Sequence, residues 1–161
     1  MYWMKPCWHG FRRGALVVDK SAIRARFARL ERCIAKLRAA TDDLDFDAYL
    51  EDEFLQDVLE HNLQIASQIV LDISTHIIAD QGWEIPDNYE QAVVILARHG
   101  VIPQALTVRL RGMAGFRNIL VHASYLEVDP DIVFAAAIEH LADYEMFAQG
   151  VMGWLDSIPA Q

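Results

Sequence analysis

From Arg111 to His122 the chain reads Arg-Gly-Met-Ala-Gly-Phe-Arg-Asn-Ile-Leu-Val-His, which has the spacing of a helix but not the polarity of an ordinary one. Leu106, Leu110, Met113 and Leu120 share one face, and Arg117 falls among them. A guanidinium in an apolar stripe needs a partner or a wet cleft. A neighbouring stripe runs through Arg111, Gly115, Asn118 and His122, so Asn118 and His122 adjoin on the helix surface beside Arg117. Imidazole moves protons near neutral pH because its pKa is ordinarily about 6.5, and a guanidinium donates two parallel hydrogen bonds to a phosphate. The same residues also suit a plainer role, an arginine and a histidine satisfying the last carbonyls of a frayed helix end. Spacing alone leaves both readings open. Gly112 and Gly115 each weaken a helix by about 1 kcal/mol relative to alanine, which suggests that another helix or a nucleotide backbone approaches there.

The elements that must position this segment all read as helices. Asp19 is a plausible cap for a first helix whose apolar face is Ile23, Phe27, Leu30, Ile34 and Leu37, with Arg24, Arg26, Arg29, Arg32 and Arg38 filling other positions. Those arginines are a solvated face or a surface that attracts RNA or an acidic partner. After an acidic break at residues 41–47, a long helix with Leu50, Phe54, Val58, Ile65, Ile69 and Ile73 toward the core should stop near Gly82. Residues 82–88 read as a loop ending in a cap at Asn88, before a short helix to Arg98 that stops at Gly100. Pro103 suits the first turn of the helix that carries Arg117. Asp129 and Pro130 open a last helix with Val133, Ala137, Leu141 and Tyr144, ending at Gly150. Nothing alternates with period two for long enough to suggest a sheet. The expected fold is all-α, an antiparallel bundle of about five helices, with an extension at 1–18, the domain at 19–150 and a tail at 151–161.

A chain of 161 residues can bury a substantial core without a cofactor or disulfides. Cys7 and Cys33 fit no zinc spacing and point to a reduced, cytoplasmic protein; neither reads as catalytic. Apolar runs fall short of the roughly 20 residues of a membrane span, and the start lacks a signal-peptide core. The net charge of −9 hides an asymmetry: residues 1–40 carry ten Lys or Arg against Asp19 and Glu31, so that segment is +8 and the remainder −17. An acidic body does not attract nucleic acid as a whole, so RNA would have to use a local basic surface. There is no His-Glu-x-x-His, Gly-rich phosphate loop or serine elbow, which disfavours zinc proteases, P-loop enzymes and α/β-hydrolases. His61, His76, His99 and His140 read as structural, His76 pairing with Asp72 one turn before it.

Arg117-Asn118-Ile119-Leu120-Val121-His122 resembles the Arg-polar-x3-His signature of the HEPN superfamily, and specifically of its HepT-like toxins. Leu71 to Ile78, then Pro86 and Tyr89, then Gly112 to His122, and finally Leu126 to Asp129, are similar to successive stretches of that family in the right order. The resemblance extends from about Asp19 to Gly150. It implies an RNA endonuclease that works without a metal or other cofactor, as a homodimer with two such helix ends facing one cleft. It also implies the toxin of a type VII-like toxin–antitoxin pair, whose partner is a small nucleotidyltransferase antitoxin of the MntA kind. Such an antitoxin can silence its toxin by attaching AMP to a tyrosine just beyond the histidine. The matching residue is Tyr125, but the family's His-x-Tyr is here His122-Ala123-Ser124-Tyr125. Either Tyr125 projects into the cleft from a longer loop, or Ser124 takes its place and modification at this site fails.

Cleaving RNA without a metal requires removing the 2′-hydroxyl proton, countering charge on phosphorus and protonating the departing 5′-oxygen. His122 suits the proton steps and Arg117 the phosphate, with Asn118 orienting the ring or holding a phosphate oxygen and Arg111 supporting the stripe. One histidine cannot be base and acid in one step, so two copies across a dimer are required. The rival expectation is a non-catalytic helical adaptor whose cleft holds RNA or a nucleotide and cuts nothing.

Overall fold

In a computed structural model, residues 19–122 and 128–158 are described. Seven α-helices form among them: α1 (Lys20–Thr41), α2 (Phe46–Glu51), α3 (Glu53–Gln81), α4 (Tyr89–Arg98), α5 (Thr107–His122), α6 (Pro130–Glu139) and α7 (Leu141–Ser157). No strand occurs among the described residues. The all-α expectation holds, with two of the expected helices each divided. None of the described helices is long and apolar enough to cross a membrane.

Side chains set the boundaries. Asp19 accepts the backbone N–H groups of Ser21 and Ala22, and Asn88 accepts that of Gln91, each satisfying donors that a helix start leaves open. The Asp19 carboxyl is held below the usual carboxylate range, first by the Ala22 N–H. α3 ends at Gly82 with φ 64°, a left-handed cap that glycine adopts without a Cβ penalty, and Trp83 N–H closes the turn on the Ile78 carbonyl. Gly100, at φ 72°, ends α4 in the same way.

α3 is the central element. α1 packs along it with Ile23, Phe27, Leu30, Ile34 and Leu37 all buried, as the periodicity predicts, while α4, α5 and α6 cover its other sides. The Tyr144 hydroxyl on α7 meets Ser67 Oγ on α3 at 2.8 Å, so the buried phenol has a hydrogen-bond partner. The fully buried Asp143 forms an ion pair with Arg109, whose Nε lies 3.0 Å from Oδ1, and its Oδ2 hydrogen-bonds His140 Nδ1 at 2.9 Å, tying α5 to the start of α7. A buried carboxylate is tolerable only with such partners.

Three expectations are corrected. The long helix does not begin before residue 50: Asp45 caps α2 and Asp52 caps α3 by accepting Leu55 N–H, so the chain turns between them. That turn rotates the faces, leaving Leu50 and Phe54 exposed, Phe54 by 77%, and burying Tyr49 instead. His140 likewise separates α6 from α7. α7 does not stop at Gly150 but runs to Ser157, with Val151 and Leu155 buried, so the stretch from 151 begins as helix. Gly150 serves packing: a Cβ there would lie 3.0 Å from the Val101 carbonyl oxygen.

Candidate active site

α5 approaches from a 3₁₀ turn at Gln104–Leu106. Its apolar stripe behaves as the spacing predicts: Leu106, Leu110 and Met113 are buried and Leu120 packs on the core, with Phe116 added. This burial fixes the rotation of the helix and carries Arg117, half-buried, onto α3. Arg117 Nε donates to Gln68 Oε1 at 2.8 Å. Gln68 Nε2 in turn donates to Asp72 Oδ1 at 2.7 Å, one turn further along α3. The guanidinium carbon lies 5.9 Å from the centre of the Tyr89 ring, at the start of α4, within range of a cation–π attraction.

The chain Asp72, Gln68, Arg117 uses Nε and orients the guanidinium plane. Gln68 can do this only because its amide oxygen faces Arg117 while its NH₂ faces Asp72. A neutral amide thus stands between the Asp72 carboxylate and the Arg117 guanidinium and positions the arginine through Nε. The α4 wall is itself anchored: Trp83 stacks on His99 at 3.8 Å between centroids and meets Trp154 edge-on, and Glu84 pairs with Arg98. That loop delivers Asn88, the cap of α4, and then Tyr89.

The other expected site residues divide. Arg111 Nε lies 3.5 Å from Glu90 Oε2, a half-exposed pair that links α5 to α4 and contributes about 0–1 kcal/mol. The backbones of Asn118 and His122 belong to α5, and their side chains lie outside the described part of the structure. Tyr125 also lies outside the described residues. His76 does not pair with Asp72: its Nε2 lies 3.2 Å from Asp80 Oδ2, one turn further along α3. Gln68 was not singled out by sequence reasoning; its only signal was the one-turn spacing to Asp72. Among the described residues, no group of three or more His, Cys, Asp or Glu could hold a metal ion.

A family model described as ribonuclease HepT-like matches residues 30–151. The chain is 34% identical over 122 residues to the mRNA nuclease HepT of Shewanella oneidensis, covering 76% of this chain and 90% of that protein. It is 28% identical over 115 residues to the tRNA nuclease HepT of Aphanizomenon flos-aquae, covering 71% and 77%. Among solved structures it is similar to the tri-AMPylated Shewanella oneidensis HEPN toxin in complex with MNT antitoxin. That match has a TM-score of 0.73 and 33% identity, over 81% of this chain and 96% of the toxin.

Proposed function

This chain belongs to the HepT-like ribonuclease family, and on that premise we propose that it is the toxin of a toxin–antitoxin pair, cutting RNA without a metal at a site shared by two protomers. Its enzymatic class is endoribonuclease. The observation that carries the finer reading is Arg117, held on α3 by Gln68 and beside Tyr89, on the helix that continues to His122.

In this reading Arg117 keeps Nε on Gln68 and offers its terminal nitrogens to a phosphate, countering the charge that builds on phosphorus. His122 of one protomer takes the 2′-hydroxyl proton, and the copy across the homodimer gives a proton to the departing 5′-oxygen. The 2′-oxygen then bonds to phosphorus as the 5′-oxygen leaves, so the product carries a 2′,3′-cyclic phosphate. Asn118 orients His122 or holds a phosphate oxygen, and Arg111 supports α5 through Glu90.

The partner in this reading is a small nucleotidyltransferase antitoxin in the same cytoplasm, acting on Tyr125. Support comes from the related toxin that is tri-AMPylated and held by its MNT antitoxin. A substrate test addresses the chemistry. RNA with one 2′-deoxynucleotide at the cut position should resist cleavage there while its neighbours are still cut. Equal cleavage at the deoxy position would exclude the 2′-hydroxyl as nucleophile.

A further inference from the structure

The basic residues of this acidic chain are not equivalent. Beyond α1, those among the described residues are each engaged: Arg98 by Glu84, Arg109 by Asp143, Arg111 by Glu90 and Arg117 by Gln68. On α1, Arg38 pairs with Glu145, and Lys20 and Arg26 donate to carbonyl oxygens. Arg24, exposed and in no ion pair, stands on another face of α1, while no ion pair among the described residues engages Arg29, Arg32 or Lys36, all exposed. These three stand at i, i+3 and i+7, one stripe of the helix, over about 10 Å.

That stripe has a direction. Lys36 lines an open groove of about 880 Å³ between α1 and α3, opposite His61 and Gln64. Towards the start of α1, Phe27 packs on Phe147 of α7, one turn from Tyr144, whose hydroxyl meets Ser67 on α3. The helices therefore run antiparallel, and Gln68, next to Ser67, lies near the level of Arg29. Gln68 stands on α3 one turn beyond Gln64, which lines the groove. The stripe of free cations thus runs from the groove to the level of the residue that holds Arg117.

We propose that Arg29, Arg32 and Lys36 form a phosphate-binding rail that tracks the backbone of single-stranded RNA toward Arg117. The proposal rests on the reading of the chain as an RNA-cutting protein. Charge complementarity carries it, because an acidic molecule can hold a polyanion only through local unpaired cations. Asp57 and Glu60 face the same groove from α3 and repel phosphate, which places the RNA on the α1 side.

The test is binding of the full chain to a fluorescent 2′-O-methyl RNA 12-mer, which cannot be cut through its 2′-oxygen, between 50 and 200 mM salt. Three phosphate contacts contribute a slope of about −2 in log affinity against log salt. Over that range the intact chain should lose about 20-fold more affinity than Arg29→Gln/Arg32→Gln/Lys36→Gln. Arg29→Lys/Arg32→Lys should keep the slope, and Asp57→Asn/Glu60→Gln should bind more tightly. Glutamine matches arginine and lysine in helix propensity, so circular dichroism should show the triple variant folded. An unchanged slope in the triple variant overturns the rail, while cleavage of ordinary RNA by the same preparation would leave the nuclease reading standing. No binding by the intact chain overturns the rail as well. An unchanged slope with lost binding to the nucleotidyltransferase would instead assign α1 to an acidic protein partner.

Discussion

Arg117 does its work through a residue 49 positions away. Removing the amide by Gln68→Ala leaves the guanidinium without its hydrogen bond on α3 and Asp72 without its donor. A hydrogen bond to a charged group contributes about 1.5–3 kcal/mol, so we expect kcat for RNA cleavage to fall about tenfold or more. An unchanged kcat would mean that Arg117 finds its orientation without Gln68. The arginine was legible in the sequence because a guanidinium among Leu106, Leu110, Met113 and Leu120 has no reason to be there unless something receives it. Its partner was not legible, because Gln68 looks like any polar residue on a helix until the fold brings α5 against α3.

At the scale of helices, the end signals read well where one residue type has a single physical option. Gly82 and Gly100 adopt the left-handed caps expected of them, and Asn88 and Asp129 cap the starts of α4 and α6. The reading failed where two explanations of one residue compete. Asp45 and Asp52 are both good caps, and the apolar period through Leu50 and Phe54 hid the second one. Gly150 was read as an ending but is a contact point. This distinction is measurable. Gly150→Ala places a Cβ 3.0 Å from the Val101 carbonyl oxygen, and overpacking of that kind costs about 1–3 kcal/mol against a helix-propensity gain of about 1. We expect a lower midpoint of thermal unfolding. Gly112→Ala meets nothing within 4 Å among the described residues and should raise the midpoint by up to about 1 kcal/mol of stability. If α5 also lies against a second protomer at Gly112, the same substitution weakens the dimer, which sedimentation would detect. A raised midpoint for Gly150→Ala would contradict the packing account.

Across the whole molecule, whose net charge is −9, the cations in no ion pair among the described residues stand on α1, while the four described arginines beyond it are all engaged. α1, α3 and α5 thereby divide the labour proposed here: α1 attracts the RNA backbone, α3 holds Arg117 at the right angle, and α5 presents Arg117 and His122. The sequence revealed the charge asymmetry and the order of the helices, while the alignment of the α1 stripe with Gln68 required the antiparallel packing. The most direct measurement is RNA cleavage in EDTA by the purified intact chain, free of modification, beside His122→Ala and Arg117→Ala. Cutting by the intact chain with a loss of at least about a hundredfold in both folded variants is the predicted result. Equal cutting by all three proteins, or no cutting by the folded intact chain, would contradict the account and leave the non-catalytic adaptor in its place.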